Sequence, residues 1–124
     1  MINIEDIRGV NSLQVGTIDL INDLFCWDKI KFLKVNFENH IGNRGEFKDK
    51  INLCLIVEFL FEQYKFEFYI SYDQLEYYMS NKDGVIEFKC NMEDSSPINE
   101  MQSKFIEYLK CDIKKGIIPP HFTK

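Results

Sequence analysis

From Tyr64 to Asp73 the chain alternates with a period of two. Tyr64, Phe66, Phe68, Ile70 and Tyr72 fall on one side and Lys65, Glu67, Tyr69, Ser71 and Asp73 on the other, the pattern of a strand buried on one face. Val85 to Met92 repeats it, with Ile86, Phe88, Cys90 and Met92 inward and Glu87, Lys89 and Asn91 outward. Asn81-Lys82-Asp83-Gly84 has turn chemistry, because Gly and Asn tolerate positive φ, and joins that strand to an arriving one at Leu75 to Ser80. Ile30 to Glu38 predicts a further strand, with Leu33, Val35 and Phe37 inward, followed by a loop from Asn39 to Gly45.

Ile51 to Phe61 fits two templates. Every odd position is apolar, yet Leu53, Ile56, Val57, Leu60, Phe61 and Tyr64 also make a helical stripe. The neighbouring strands and the richness in Ile, Val and Phe favour a central strand buried on both faces.

Two segments read as helices. From Pro97 to Lys115, Ser96 can cap, Pro97 suits the first turn, Glu100 lies near the positive end, and Gly116 can take the left-handed terminating conformation. Ile98, Met101, Phe105, Tyr108, Leu109 and Ile113 form its apolar stripe. Near the start, Thr17 caps a short amphipathic helix to Cys26, after a loop bracketed by Gly9 and Gly16. The expected fold is α+β: a mainly antiparallel sheet of about five strands with an N-terminal helix and a long C-terminal helix on one face. No repeat, low-complexity tract or Pro/Gly-rich linker divides residues 1–124, so one domain is expected, with residues 117–124 as a short tail.

Composition sharpens this picture. Sixteen Ile, 11 Phe and six Tyr without one Ala favour pleated sheet over an all-helical design. A net charge of −5 disfavours nucleic acid and anionic membrane as direct partners and would attract a basic protein, although mild acidity also serves solubility alone. No segment has the length of a membrane span or the form of a signal peptide, so a cytoplasmic protein is expected. Cys26, Cys54, Cys90 and Cys111 are far apart in apolar surroundings, which predicts buried reduced thiols.

The candidate chemistry is sparse. A cysteine nucleophile needs an adjacent base, and His40 and His121, the two histidines, sit in no motif. Metal ligands come in close pairs on a local turn, and no Cys or His pair is closely spaced, so no metal or other cofactor is expected. Gly42-Asn43-Arg44-Gly45 has the form of a glycine-flanked backbone clamp of one RNA-binding module, but that clamp joins helices and this segment lies between strands, where a hairpin turn explains it. Glu58 interrupts an apolar run and costs several kcal/mol if buried alone and ionised, so pairing with a Lys or exposure is the expectation, and a general base in a sheet cavity the alternative.

The most coherent surface feature is the polar side of the last strands: Glu67, Tyr69 and Asp73, then Glu76 and Tyr78, then Glu87. Alternation places them on one face, where tyrosines among carboxylates suit a protein partner, though antiparallel sheets also commonly solvate one face.

In size, acidity, sheet-plus-helix layout and the alternating segments Ile51 to Phe61, Tyr64 to Asp73 and Val85 to Met92, the chain resembles the small acidic α+β immunity proteins that bacteria encode beside secreted toxins, including those of contact-dependent growth inhibition. The resemblance implies a non-catalytic inhibitor of a cognate toxin, often a basic nuclease, and transfers no binding residue. Two other readings stay open: a small enzyme or ligand-binding protein with Glu58 or His40 in a pocket between curved sheet and helices, and a subunit that forms a homo-oligomer through an edge strand.

Overall fold

The computed structural model describes residues 1–3, 5, 7–42, 48–72, 74–92 and 98–124, with backbone alone at 32, 87–92, 98 and 99. Its sheet has five antiparallel strands in chain order: β1 (Ile30–Ile41), β2 (Ile51–Phe61), β3 (Tyr64–Ile70), β4 (Leu75–Ser80) and β5 (Ile86–Met92). Helices α1 (Ser12–Leu24) and α2 (Ile98–Lys114) complete an α+β fold. Among the described residues β1 and β5 are the two edges.

The segment that fitted both templates, Ile51 to Phe61, is a strand. Its odd positions Leu55, Val57, Phe59 and Phe61 are fully buried beneath the helices. Phe66, Phe68, Ile70, Leu75 and Tyr77 extend the same layer across β3 and β4, and Ile18, Ile21, Phe25, Met101, Phe105 and Leu109 meet it from above. The rings interlock: Phe59 stacks on Phe66 at 5.3 Å and meets Phe25 edge to face at 5.5 Å. On the opposite face Cys54 and Ile56 are also buried, whereas Asn52, Glu58 and Leu60 are half-buried, so from Leu55 to Phe61 the strand is fully covered on the helix side alone.

Several boundaries differ from expectation. α1 begins at Ser12 rather than Thr17, because Asn11 and Gln14 form a reciprocal capping box: Gln14 N–H donates to Asn11 Oδ1 and Asn11 N–H to Gln14 Oε1. Thr17 is a buried interior residue whose hydroxyl donates to the Leu13 carbonyl and accepts from Gln102. Gly16 lies in α1, not in a loop, and a Cβ there would stand 3.0 Å from Gln102 Nε2, so it permits the close approach of α2. β1 runs on to Ile41 through the expected loop, and Asn43, Arg44 and Gly45 lie outside the described residues.

In α2 the buried positions are Met101, Phe105, Ile106, Leu109 and Asp112, while Tyr108 faces solvent. Gly116 ends the helix at φ +78, with Gly116 N–H donating to Ile113 and Ile117 N–H to Asp112. The proposed cap, Ser96-Pro97, lies outside the described residues.

The β4–β5 turn is built as expected, with Asn81 Oδ1 accepting from the amides of Asp83 and Val85 and Gly84 at φ +80. A bulge follows, pairing Ser80 with Ile86 and Met79 with Phe88. Ile86 is consequently exposed on the polar face instead of turned inward.

The last residues dock. Phe122 is buried against Phe61 at 4.9 Å. Cys26 N–H donates to the Phe122 carbonyl and Lys124 N–H to the Leu24 carbonyl, which sews the segment to the end of α1.

Candidate partner-binding surface

The sheet's second face is fixed by strand parity. Register pairs Glu58 with Glu67 and Glu67 with Tyr78 in one row, and Ile56 with Tyr69 and Tyr69 with Glu76 in the next. Glu67, Tyr69, Glu76 and Tyr78 are thereby neighbours on one face, turned away from the aromatic core.

Their contacts make a small network. Tyr69 and Tyr78 meet edge to face, centroids 5.6 Å apart at 80°. Tyr69 donates its hydroxyl to Glu67 Oε2 at 2.8 Å, and Tyr78 donates to Glu76 Oε2 at 3.2 Å, where Gln74 Nε2 also donates at 2.9 Å. Partial burial, followed by the Glu67 carboxylate that its proton already serves, pushes the Tyr69 phenol well above its ordinary range. Lys65 sits between two carboxylates, 2.8 Å from Glu58 and 3.3 Å from Glu67, and Glu58 in particular holds its ammonium above the usual lysine range.

Glu58 is therefore a paired carboxylate on the outer face. The sheet–helix space in which a catalytic Glu58 would need a pocket is filled by Phe25, Phe59, Phe66 and Phe68.

A groove of about 630 Å³ lies over this face at the end where the β2–β3 and β4–β5 turns meet. Leu60, Lys65, Glu67, Tyr69, Tyr78 and Ile86 line it, and Glu62 and Lys82 stand at the two turns. Glu62 holds φ +52, a left-handed conformation unusual for a non-glycine residue, and its carboxylate meets His121 Nε2 at 3.0 Å.

Three of the six residues singled out from the sequence, Glu67, Tyr69 and Tyr78, line the groove together. Glu76 shares their face but is only 6% exposed, so it holds the Tyr78 hydroxyl from beneath and offers little surface of its own. Asp73 lies outside the described residues, and Glu87 is described by its backbone alone, at the β5 bulge. Lys65, Leu60, Glu62 and Ile86 were not singled out. Lys65 and Leu60 share the parity of the outer face and so were readable; Ile86 depends on the bulge, which leaves no mark in alternation.

The described cysteines are not uniformly buried, and the Cys90 side chain lies outside the described residues. Cys54 is buried, Cys111 is exposed on α2, and Cys26 is half-buried with its thiol donating to Asp28, a bond that raises the Cys26 thiol above its ordinary range and lowers the Asp28 carboxyl. Among the described residues no three His, Cys, Asp or Glu side chains converge as a metal site would require, and no helix is long and apolar enough to cross a membrane. Compared with protein-family profiles, curated sequences and solved structures, the chain matches none.

Proposed function

We propose that the chain acts by binding another protein, as an immunity-type inhibitor that neutralises a cognate bacterial toxin in the cytoplasm, a basic nuclease domain being the partner its charge suits. The observation that carries this reading is the Tyr69–Tyr78 pair, two rings set edge to face in a groove with each hydroxyl already donating to a carboxylate. Rings held in this way lose little rotamer freedom on binding, and each phenol oxygen keeps the capacity to accept from a partner's Lys or Arg.

Charge has a narrower part than composition implies. Lys65 offsets the carboxylates of Glu58 and Glu67, so the groove selects by the placement of its rings, while the net charge of −5 speeds encounter with a basic surface.

The test uses the product of the neighbouring gene, purified as its toxin domain, and titration calorimetry. Tyr69→Ala and Tyr78→Ala should each weaken binding at least tenfold, on the order expected for buried aromatic anchors. Glu67→Lys should slow association and flatten its salt dependence. Unaltered affinity in all three variants would remove the groove as the binding surface, and a neighbouring product that is not bound at all would remove the immunity reading.

A further inference from the structure

We propose that the chain forms a two-fold homodimer by pairing β1 antiparallel with β1 of a second copy, centred on Asn36, to give one continuous ten-stranded sheet. This inference rests on the edge of β1, whereas the groove spans β3 and β4 and the adjoining ends of β2 and β5.

The first observation is the edge itself. β1 is 12 residues long, and its register against β2 runs without interruption from Phe32 to Ile41. Natural edges are commonly blunted by shortness, proline or a bulge. β5, the opposite edge, has seven residues and a bulge where it meets Ser80. β1 contains no proline, and its irregularity lies at its beginning, between Ile30 and Phe32.

The second observation is the order of charges along that edge. Lys34 and Glu38 are both exposed, two residues to either side of Asn36, and neither has an ion-pair partner among the described residues. A two-fold axis at Asn36 sets Lys34 opposite Glu38 of the partner and Glu38 opposite its Lys34, two reciprocal pairs on one face. Shifting the register by two residues in either direction breaks both pairs.

The third observation concerns the helix-side face. Under the same axis Val35 meets Phe37 of the second copy, and both are half-buried at the rim of the core. Leu33, 38% exposed beside them, lies in a shallow groove of about 380 Å³ between β1 and the N-terminal residues Met1, Asn3, Ile7 and Arg8. Strand pairing closes the edge of this apolar row while satisfying the backbone donors and acceptors of β1 that face away from β2. A self-complementary order of charge and apolar side chains about one residue fits a second copy better than an unrelated strand.

Sedimentation equilibrium across a concentration series tests the proposal with the intact chain. Wild type should show a monomer–dimer equilibrium. Lys34→Glu and Glu38→Lys, both at exposed positions, should each weaken dimerisation about tenfold, because each turns two attractive pairs repulsive at once. The double exchange Lys34→Glu with Glu38→Lys should restore it, since the pairs re-form with signs reversed. A chain that stays monomeric up to roughly millimolar concentration, or a dimer indifferent to the single reversals, overturns the proposal. A double exchange no better than the single variants overturns the register.

Discussion

β2 carries one alternation from end to end, yet its two halves meet different fates. Leu55, Val57, Phe59 and Phe61 lie fully buried under α1 and α2, whereas Leu53 is 42% and Ile51 74% exposed on the same side of the same strand. Beside them Ile41, paired with Ile51, is equally open. This end of the β1–β2 pair is an arm on which Ile41, Ile51 and Leu53 are left exposed. Periodicity therefore assigns a residue to a face; depth is set by what another part of the chain lays across it.

The sharpest way to break this comparison is to truncate one residue from each half. Phe59→Ala should cost about 3–5 kcal/mol, the penalty for emptying a packed aromatic site, and Leu53→Ala less than about 1 kcal/mol, both read from urea denaturation. Equal losses would mean that the arm is covered after all.

Gln14 stands on the boundary. It is fully buried in α1, and its side-chain amide donates to the carbonyls of Leu53 on the arm and Ile70 on β3, each at 3.0 Å. Gln14→Leu should destabilise by about 2 kcal/mol, because the buried Ile70 carbonyl loses its donor, the half-buried Leu53 carbonyl loses one too, and the Asn11 capping box is broken. Amide exchange should show the arm loosening before the centre does.

Alkaline titration separates the faces in another way. Tyr69 and Lys65 both have pKa values raised in the folded chain. Groups that hold their protons more tightly when folded contribute fully below their unfolded values, here 10.0 and 10.5, and that stability is lost as pH climbs through the folded values. Stability should be flat on this account up to about pH 10 and fall beyond it. Ultraviolet difference spectra should show a late-ionising tyrosine contribution that is lost in Tyr69→Phe.

The smallest effect is expected at the turn beyond the covered half. Glu62→Gly removes a left-handed non-glycine conformation and an exposed contact with His121, and should stabilise by about 0.5 kcal/mol, with a matching rise in Tm. A loss instead would show that the His121 contact outweighs the backbone strain.

Much of this molecule was legible because alternation and turn chemistry are local. Leu75 to Ser80 and the Asn81–Gly84 turn appear where their residues place them, and the strand read over Tyr64 to Asp73 begins where expected but ends at Ile70. Ile51 to Phe61 could be resolved only through its neighbours, since its residues satisfy two periods. α1 was misplaced because Gly16 reads as a helix breaker, costing about 1 kcal/mol relative to Ala, whereas here it makes room for Gln102. The Asn11–Gln14 box is written in the residues, but Thr17 is an equally acceptable capping residue type a few positions on.

The candidate site divides along the same line. That Glu67, Tyr69 and Tyr78 share a face follows from parity alone. That Glu76 sinks beneath Tyr78 and that Ile86 swings into the groove depend on network geometry and a bulge, which are settled between strands and not within them.

The clasp formed by Phe122 and the end of α1 bears on how the protein is made. A ring at position 122 belongs to the same core as Ile18, Ile21 and Phe25, and the bridge between Phe25 and Thr123 joins two distant parts of the sequence. The hairpins can assemble while synthesis proceeds, but the aromatic layer cannot close until residue 123 has left the ribosome. A nascent chain stalled before Phe122 would leave the face of Phe61 that this ring covers open.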